Sequence, residues 1–335
     1  MPSPLHNEAA SRTAATSATG NTPKPNLVIG VAWGLREEDL LFFAKSFRRV
    51  SASADMVLLT KNPSTGAQKL AERERVELVP LQSCYYGLGS SKAVRVRNHA
   101  GIKVTRLLAR MAYPFLRIGY THAQCIELWR EMNKLIIQTS GGRYLQYLDF
   151  LRNRRLQYGK VMVTDVRDVY FQADPFDTVG EDSLLLFEEH VVLGTDRRNK
   201  QWVKATFGRE VLKSMETRTA LCSGVTIGGV EKIIGYLEVM EPELVRRNPA
   251  CIADQGIHNA LAYLGRFDHL GATIMKCETG PVLSMGLMRD DAIKVNADDL
   301  VVDAGGIPYP VLHQYDRYPA ILRIIQRREL GSSQP

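Results

Sequence analysis

Apolar positions recur along the chain in two alternating rhythms. Residues 27–32, Leu-Val-Ile-Gly-Val-Ala, form an unbroken apolar run closed by Trp33-Gly34, the pattern of a strand covered on both faces. Leu40, Leu41, Ala44 and Phe47 then recur at helical spacing across residues 37–50. Residues 56–60 are again apolar, 64–73 read as a helix and 76–81 as a strand. Strand, helix, strand, helix, strand at this spacing predicts a parallel sheet with covering helices.

The rhythm breaks over residues 81–103, a loop rich in Gly and Ser that carries Lys92, Arg95, Arg97 and Lys103 and is long enough to suggest a role in binding. Helices are expected over 104–116, 121–138 and 143–155, the last with Tyr144, Tyr147, Leu148 and Leu151 on one face. A strand is expected at 160–164 and another at 183–187, ending in Glu188-Glu189-His190. Trp202, Val203, Phe207, Val211 and Leu212 predict one helix face, and Ile233, Ile234, Leu237 and Met240 another. Residues 272–311 read as short strands between Gly and Pro turns. No repeat and no linker interrupts residues 27–330, so one continuous α/β domain is expected, preceded by a Ser/Thr/Ala-rich tail at 1–26 that reads as disordered.

Composition narrows the class without choosing a function. Across 335 residues, 45% hydrophobic and 24% charged content excludes a mainly disordered chain, a collagen and a coiled coil. The 43 Lys+Arg against 36 Asp+Glu leave a charge of +7, which attracts nucleotides, nucleic acid or acidic lipid. The five cysteines are scattered and form no CxxC pair, which supports neither a disulfide framework nor a zinc ribbon and suggests a reducing compartment. With no signal-peptide pattern and no apolar stretch of spanning length, a cytoplasmic location is expected. Residues 318–330 form a basic amphipathic helix. It offers a peripheral membrane contact, although packing on its own domain is the commoner fate of such a helix.

The segment Val161-Met162-Val163-Thr164-Asp165-Val166-Arg167-Asp168 sets two carboxylates at the carboxyl end of a buried strand, with the strand expected to end between them. Ligand sites of open α/β sheets lie at such ends. Two carboxylates there can hold a divalent cation against diphosphate oxygens. The plain alternative is a helix cap and an ion pair with Arg167.

Asp165-Val166-Arg167-Asp168-Val169, followed by Phe171-Gln172 and Asp174-Pro175-Phe176, resembles the nucleotide-diphospho-sugar transferases of the GT-A fold. It is most similar to the branch whose DxD motif is stretched to DxxD, as in the glycosyltransferase domains of procollagen lysyl hydroxylases. Further segments follow in the order of that family: Arg143-Tyr144, Ser223-Gly224-Val225, Asp254-Gln255-Gly256 and His313-Gln314-Tyr315-Asp316. The resemblance implies a mostly parallel central sheet flanked by helices, with the nucleotide towards the N-terminal part and donor sugar and acceptor towards the C-terminal part. It also implies metal ligation by Asp165, Asp168 and His313. The imidazole favours Mn²⁺ over Mg²⁺. Ala32, Trp33, Gly34, Arg143, Arg167, Ser223, Gly224 and Gln255 would contact a nucleotide-diphosphate sugar, with UDP the common carrier. Asp254, with Glu188 or Glu189, would stabilise the sugar ring in the transition state. The Asp-Gln element resembles that of retaining families. The acceptor, whether glycan, lipid-linked or protein, is not written in any motif.

Each residue also has a structural alternative: a core histidine for His313, a helix cap for Asp254, a neighbouring acid for Arg143, crowded backbone for the glycines and a solvated strand end for the two glutamates. Trp33-Gly34-Leu35-Arg36-Glu37 is not the Gly-rich loop of a sugar nucleotidyltransferase, and no GxxxxGK[ST] is present. A nucleic-acid-binding protein and a degenerate transferase kept as a scaffold are the competing classes. The first is not expected, and the intact acidic motif speaks against the second.

Overall fold

The computed structural model describes residues 23–81, 139–247 and 254–331, with a few positions between 119 and 131. Most of the expected tail, the basic loop with Lys92, Arg95 and Arg97, and most of the two helices expected between 104 and 138 lie outside the described residues.

The chain folds as a mixed α/β structure around one large sheet. Strand β1 (Leu27–Trp33) lies between β2 (Asp55–Lys61) and β4 (Lys160–Thr164), parallel to both, and β3 (Val76–Pro80) extends the sheet beyond β2. Helix α1 (Glu37–Val50) carries Glu37, Glu38 and Asp39 in its first turn and Arg48 and Arg49 in its last, charges that complement the helix dipole. Helix α2 (Thr65–Arg73) is capped by Ser64, whose hydroxyl accepts the Ala67 N–H at 3.1 Å. The order β3-β2-β1-β4 sends the chain one way from β1 and returns it on the other side. The switch point therefore lies between the carboxyl ends of β1 and β4, where α/β folds bind ligands.

The sheet continues through β7 (Thr219–Gly229), antiparallel to both β4 and β6 (Leu184–Val192), and on through β9 (Val282–Ser284), β12 (Val311–His313) and β5 (Val169–Phe171). Strand β8 (Ala272–Met275) also pairs with β6, and β10 (Lys294–Val295) with β11 (Val301–Val302). Alternation along β1 builds two cores. Leu27 and Ile29 pack with helices α3 (Thr139–Arg154), α6 (Val230–Arg247) and α7 (Asp254–Tyr263), whereas Val28 packs with Phe43 and Phe47 of α1. Full burial of each such side chain is worth about 1.5–3 kcal/mol.

Three expectations are corrected. Strand β4 stops at Thr164, so both aspartates lie beyond it, in the turn to β5. Strand β6 does not end at Phe187 but runs through both glutamates to Val192, with register shifts that keep it paired to β7. The single face expected over 202–212 is two helices, α4 (Arg197–Phe207) and α5 (Arg209–Met215), separated by Gly208 at φ +89°. The C-terminal helix α8 (Pro319–Leu330) meets the commoner of the two fates expected for it, with its apolar side packed on its own domain. Ile321 and Ile325 are buried in a cluster with Tyr170, Tyr315 and Tyr318. Buried Glu329 accepts from Arg49 Nη1 at 2.5 Å and from the Tyr170 hydroxyl at 2.7 Å. No helix among the described residues is long and apolar enough to cross a membrane.

Candidate active site

Two chain segments distant in sequence meet at the switch point. Asp165 and Asp168 come from the turn after β4. His313 ends β12, which pairs with β5 so that His313 stands opposite Val169, next to Asp168. Backbone bonds lock the junction: the Asp165 N–H donates to Gly224 O at 2.7 Å, and the Gln314 N–H to Asp168 O at 2.6 Å.

The side chains converge. His313 Nε2 lies 3.4 Å from Asp165 Oδ2 and 3.8 Å from Asp168 Oδ1, and one ligand atom from each of the three falls within 4.8 Å of the others, close enough to share a metal ion. His313 is fully buried, and its Nε2 has no hydrogen-bond partner. Its other nitrogen, Nδ1, is 3.2 Å from Cys222 Sγ. A contact at Nδ1 fixes the ring and leaves Nε2 for a ligand, as partners behind metal-bound histidines do. Burial opposes a charge on this imidazole, but Cys222, Asp168 and Asp165 outweigh it and raise its proton affinity well above the ordinary value.

Behind the triad stands Arg143 of α3. Its guanidinium donates to Asp165 Oδ1, to Asp254 Oδ2 at 2.9 Å and to Ser223 O at 3.1 Å. Burial works against this charge, yet Asp165 and Asp254 raise the Arg143 pKa well above normal. Burial alone would raise the Asp165 pKa too, but Arg143 and His313 hold it far below the usual carboxylate range. The Asp168 carboxyl moves upward, through burial and the nearby charges of Asp165 and Asp316. Asp254 opens α7, buried to 3% exposure, and burial raises its pKa despite Arg143. Its Oδ1 has no partner.

The two glutamates separate. Glu189, Ser284 and His313 stand in register across β6, β9 and β12. Glu189 Oε2 accepts from Gln255 Nε2 at 2.9 Å, and Gln255 Nε2 also reaches Asn199 Oδ1 at 3.0 Å. Burial raises the Glu189 pKa, and His313 is close enough to oppose that shift. Glu188 belongs to a different neighbourhood: burial raises its pKa, with Thr219, Glu278 and Lys276 as its other influences. The structure therefore brings Glu189, and not Glu188, beside the triad.

The remaining expected residues occupy the rim. Ala32 is buried at the end of β1, where its carbonyl accepts from the Thr60 hydroxyl at 2.6 Å, and the Gly34 N–H donates to Lys61 O at 3.0 Å. The side chain of Trp33 lies outside the described residues. Arg167 turns to Asp39 of α1 at 3.6 Å, the acid that Arg36 also holds. Ser223 contributes its carbonyl, which also accepts from the Tyr144 hydroxyl at 3.2 Å. A Cβ at Gly224 would stand 2.5 Å from His313 Cε1 and 2.6 Å from Asp165 Oδ2, so this glycine leaves the room the triad occupies.

Sequence reasoning missed Cys222 and Asn199, whereas Asn259 belongs to the Asp254-Gln255-Gly256 element that the family resemblance picks out. Asn259 pins α7 to β7, accepting from Leu221 N and donating to Leu221 O, both at 2.7 Å. Cys222 gave no signal beyond standing next to Ser223-Gly224.

No protein-family model and no curated protein matches the chain. Among solved structures it is similar to the WbbM bifunctional glycosyltransferase, at 12% identity over 77% of this chain with a TM-score of 0.39, and spans 40% of that longer chain. It is also similar to the galactosyltransferase LgtC in complex with donor and acceptor sugar analogs, at 13% identity over 92% of this chain and 97% of that one, with a TM-score of 0.45.

Proposed function

We propose that the chain is a metal-dependent glycosyltransferase that moves a sugar from a nucleotide-diphosphate sugar, with UDP as the expected carrier, to a hydroxyl of a glycan, lipid-linked or protein acceptor. The observation that supports this reading is the charge balance at the switch point. Asp165, Asp168, Asp254 and Glu189 gather there around Arg143 and His313, and the buried His313 Nε2 faces two of the carboxylates without a hydrogen bond. Such a set gains most from a cation bound between the aspartates and the imidazole.

Asp165 through Oδ2, Asp168 and His313 are the ligands in this reading, with Mn²⁺ preferred because a nitrogen joins two oxygen donors. When bound, the ion supplies positive charge to the departing diphosphate. Arg143 is already committed to Asp165 and Asp254, so its part is to hold both carboxylates in place. Ala32, Trp33 and Gly34 at the end of β1 would meet the nucleotide, with Arg167 at the rim. Ser223 and Gly224 would line the sugar, Gly224 by offering no side chain. Asp254 and Glu189 would face the sugar ring, their carboxylates stabilising positive charge developing at its anomeric carbon. Gln255 holds Glu189 for this. Retention of configuration remains the favoured stereochemistry, on the resemblance of the Asp-Gln element.

Asp165→Asn and Asp168→Asn test the reading by calorimetric titration with Mn²⁺ and UDP-sugars. Each is expected to weaken metal-dependent donor binding by about 100-fold or more, beyond the 10–100-fold typical of losing an outer-shell partner. Wild-type affinity in either variant would overturn the assignment.

A further inference from the structure

Away from the triad, helices α4 and α5 border an open cavity of about 640 Å³. Arg197, Lys200 and Lys204 line it from one face of α4, at intervals of three and four residues, and Arg209 and Lys213 from one face of α5, four apart. All five cations are exposed, and none forms an ion pair with another described residue. Glu210 and Glu216 also line the cavity, leaving a surplus of three positive charges. This concentration of charge exists because Gly208, at φ +89°, breaks the helix and folds its two halves onto one hollow.

The lining also specifies what kind of anion fits. The volume is that of a pocket for a small organic molecule, well beyond a single phosphate. Among the described residues no aromatic side chain lines it, which leaves nucleic-acid bases no stacking surface there. Gln201 offers amide groups for hydroxyls, and Leu212 adds an apolar side chain to the wall. Lysine and arginine around an open hollow, without an aromatic, suit a flexible chain of hydroxyls and anionic groups.

The cavity is also tied to the triad. The buried side of α4 carries Asn199, which accepts from Gln255, the residue that follows Asp254 and holds Glu189. The hollow and the candidate active site thus stand on opposite sides of one helix, a thickness of about 10 Å.

We propose that the cavity between α4 and α5 binds an anionic sugar chain, one bearing carboxylate or phosphate groups. Its use as a docking subsite for the acceptor rests on the transferase reading above. The charged groups fix the chain to α4 and α5 while its hydroxyl end extends towards Asp254 and Glu189.

The test compares the wild-type protein with a Lys200→Gln, Lys204→Gln, Lys213→Gln variant, whose changes are all exposed and leave the triad untouched. Calorimetric titration with an oligogalacturonate and with a phosphorylated oligomannoside separates carboxylate from phosphate recognition. A neutral maltooligosaccharide and a single-stranded oligonucleotide serve as contrasts. Wild type is expected to bind at least one anionic glycan, more weakly as salt rises, and the variant to bind it about ten-fold more weakly or worse, while Mn²⁺-dependent UDP-sugar binding stays unchanged. Equal binding by the variant, equal binding of the neutral glycan, or tighter binding of the oligonucleotide would overturn the site. Sugar-nucleotide binding without any anionic-glycan binding also overturns it and leaves the transferase reading standing. Anionic-glycan binding without sugar-nucleotide binding supports the cavity and removes the transferase reading.

Discussion

Gly224 shows how one missing side chain can govern a site. Its Cα faces the space between His313 and Asp165, and any Cβ there would push both from the positions that bring their ligand atoms together. Gly224→Ala is expected to abolish the rise in melting temperature caused by Mn²⁺ while leaving the far-ultraviolet circular dichroism unchanged. A normal metal response would show that the triad is not the metal site. Arg143 makes the opposite case, a residue whose removal strips partners from others. Its side chain is 12% exposed and serves the 3%-exposed Asp254 as well as Asp165. Breaking a buried pair leaves a charge uncompensated, so Arg143→Met should lower stability by about 3 kcal/mol in urea denaturation. A change near zero would mean that water, and not Arg143, solvates Asp254.

At the scale of elements, the sharpest departure from the periodic reading is the break at Gly208. Apolar spacing across 202–212 fits one helix, yet the backbone at φ +89°, ψ −179° admits little but glycine. A Cβ there would meet nothing within 4 Å, so the cost of a side chain is purely conformational. Gly208→Ala is expected to destabilise the protein by about 2 kcal/mol, read from the denaturation midpoint. An unaffected midpoint would show that the α4–α5 corner carries no strain. The C-terminal helix teaches a related lesson. Its basic amphipathic pattern suits a membrane surface, but Glu329 sits among Arg49, Tyr170 and the tyrosine cluster, and the apolar side is used internally. A helix pattern reveals that one face will be covered and is silent about what covers it.

Across the whole molecule, the triad joins the turn after β4 to β12, segments almost 150 residues apart that the sheet brings side by side. A cation bound there is available only to the folded chain. Mn²⁺ at 100 times its dissociation constant should therefore add about 2.7 kcal/mol to unfolding stability in the wild type and about 0.4 kcal/mol or less in Asp165→Asn. Equal stabilisation of both proteins would place the metal elsewhere.

The pattern of residues was enough to predict much of the frame. The apolar runs at 27–32, 56–60 and 160–164 became β1, β2 and β4 because strands covered on both faces have no polar side to confuse the reading. The helical spacing over 37–50 and 64–73 became α1 and α2, whose starts the structure shows held by the acids Glu37-Glu38-Asp39 and by the Ser64 cap. Asp165, Asp168 and His313 were readable as chemistry, since carboxylates at a strand end and a late histidine stand out by type. Their convergence was legible only through the family resemblance and not from the pattern itself, and nothing in the sequence revealed the different surroundings of Glu188 and Glu189, the pairing of Arg143 with two acids or the contact of His313 with Cys222. Those depend on strand register and on contacts across the sheet, and a one-residue change of register reverses which side chain faces the site. Local sequence determined which elements form and which residues could do chemistry. Only the folded sheet decided which of them meet, because pairing between distant strands is set by the packing of the whole core.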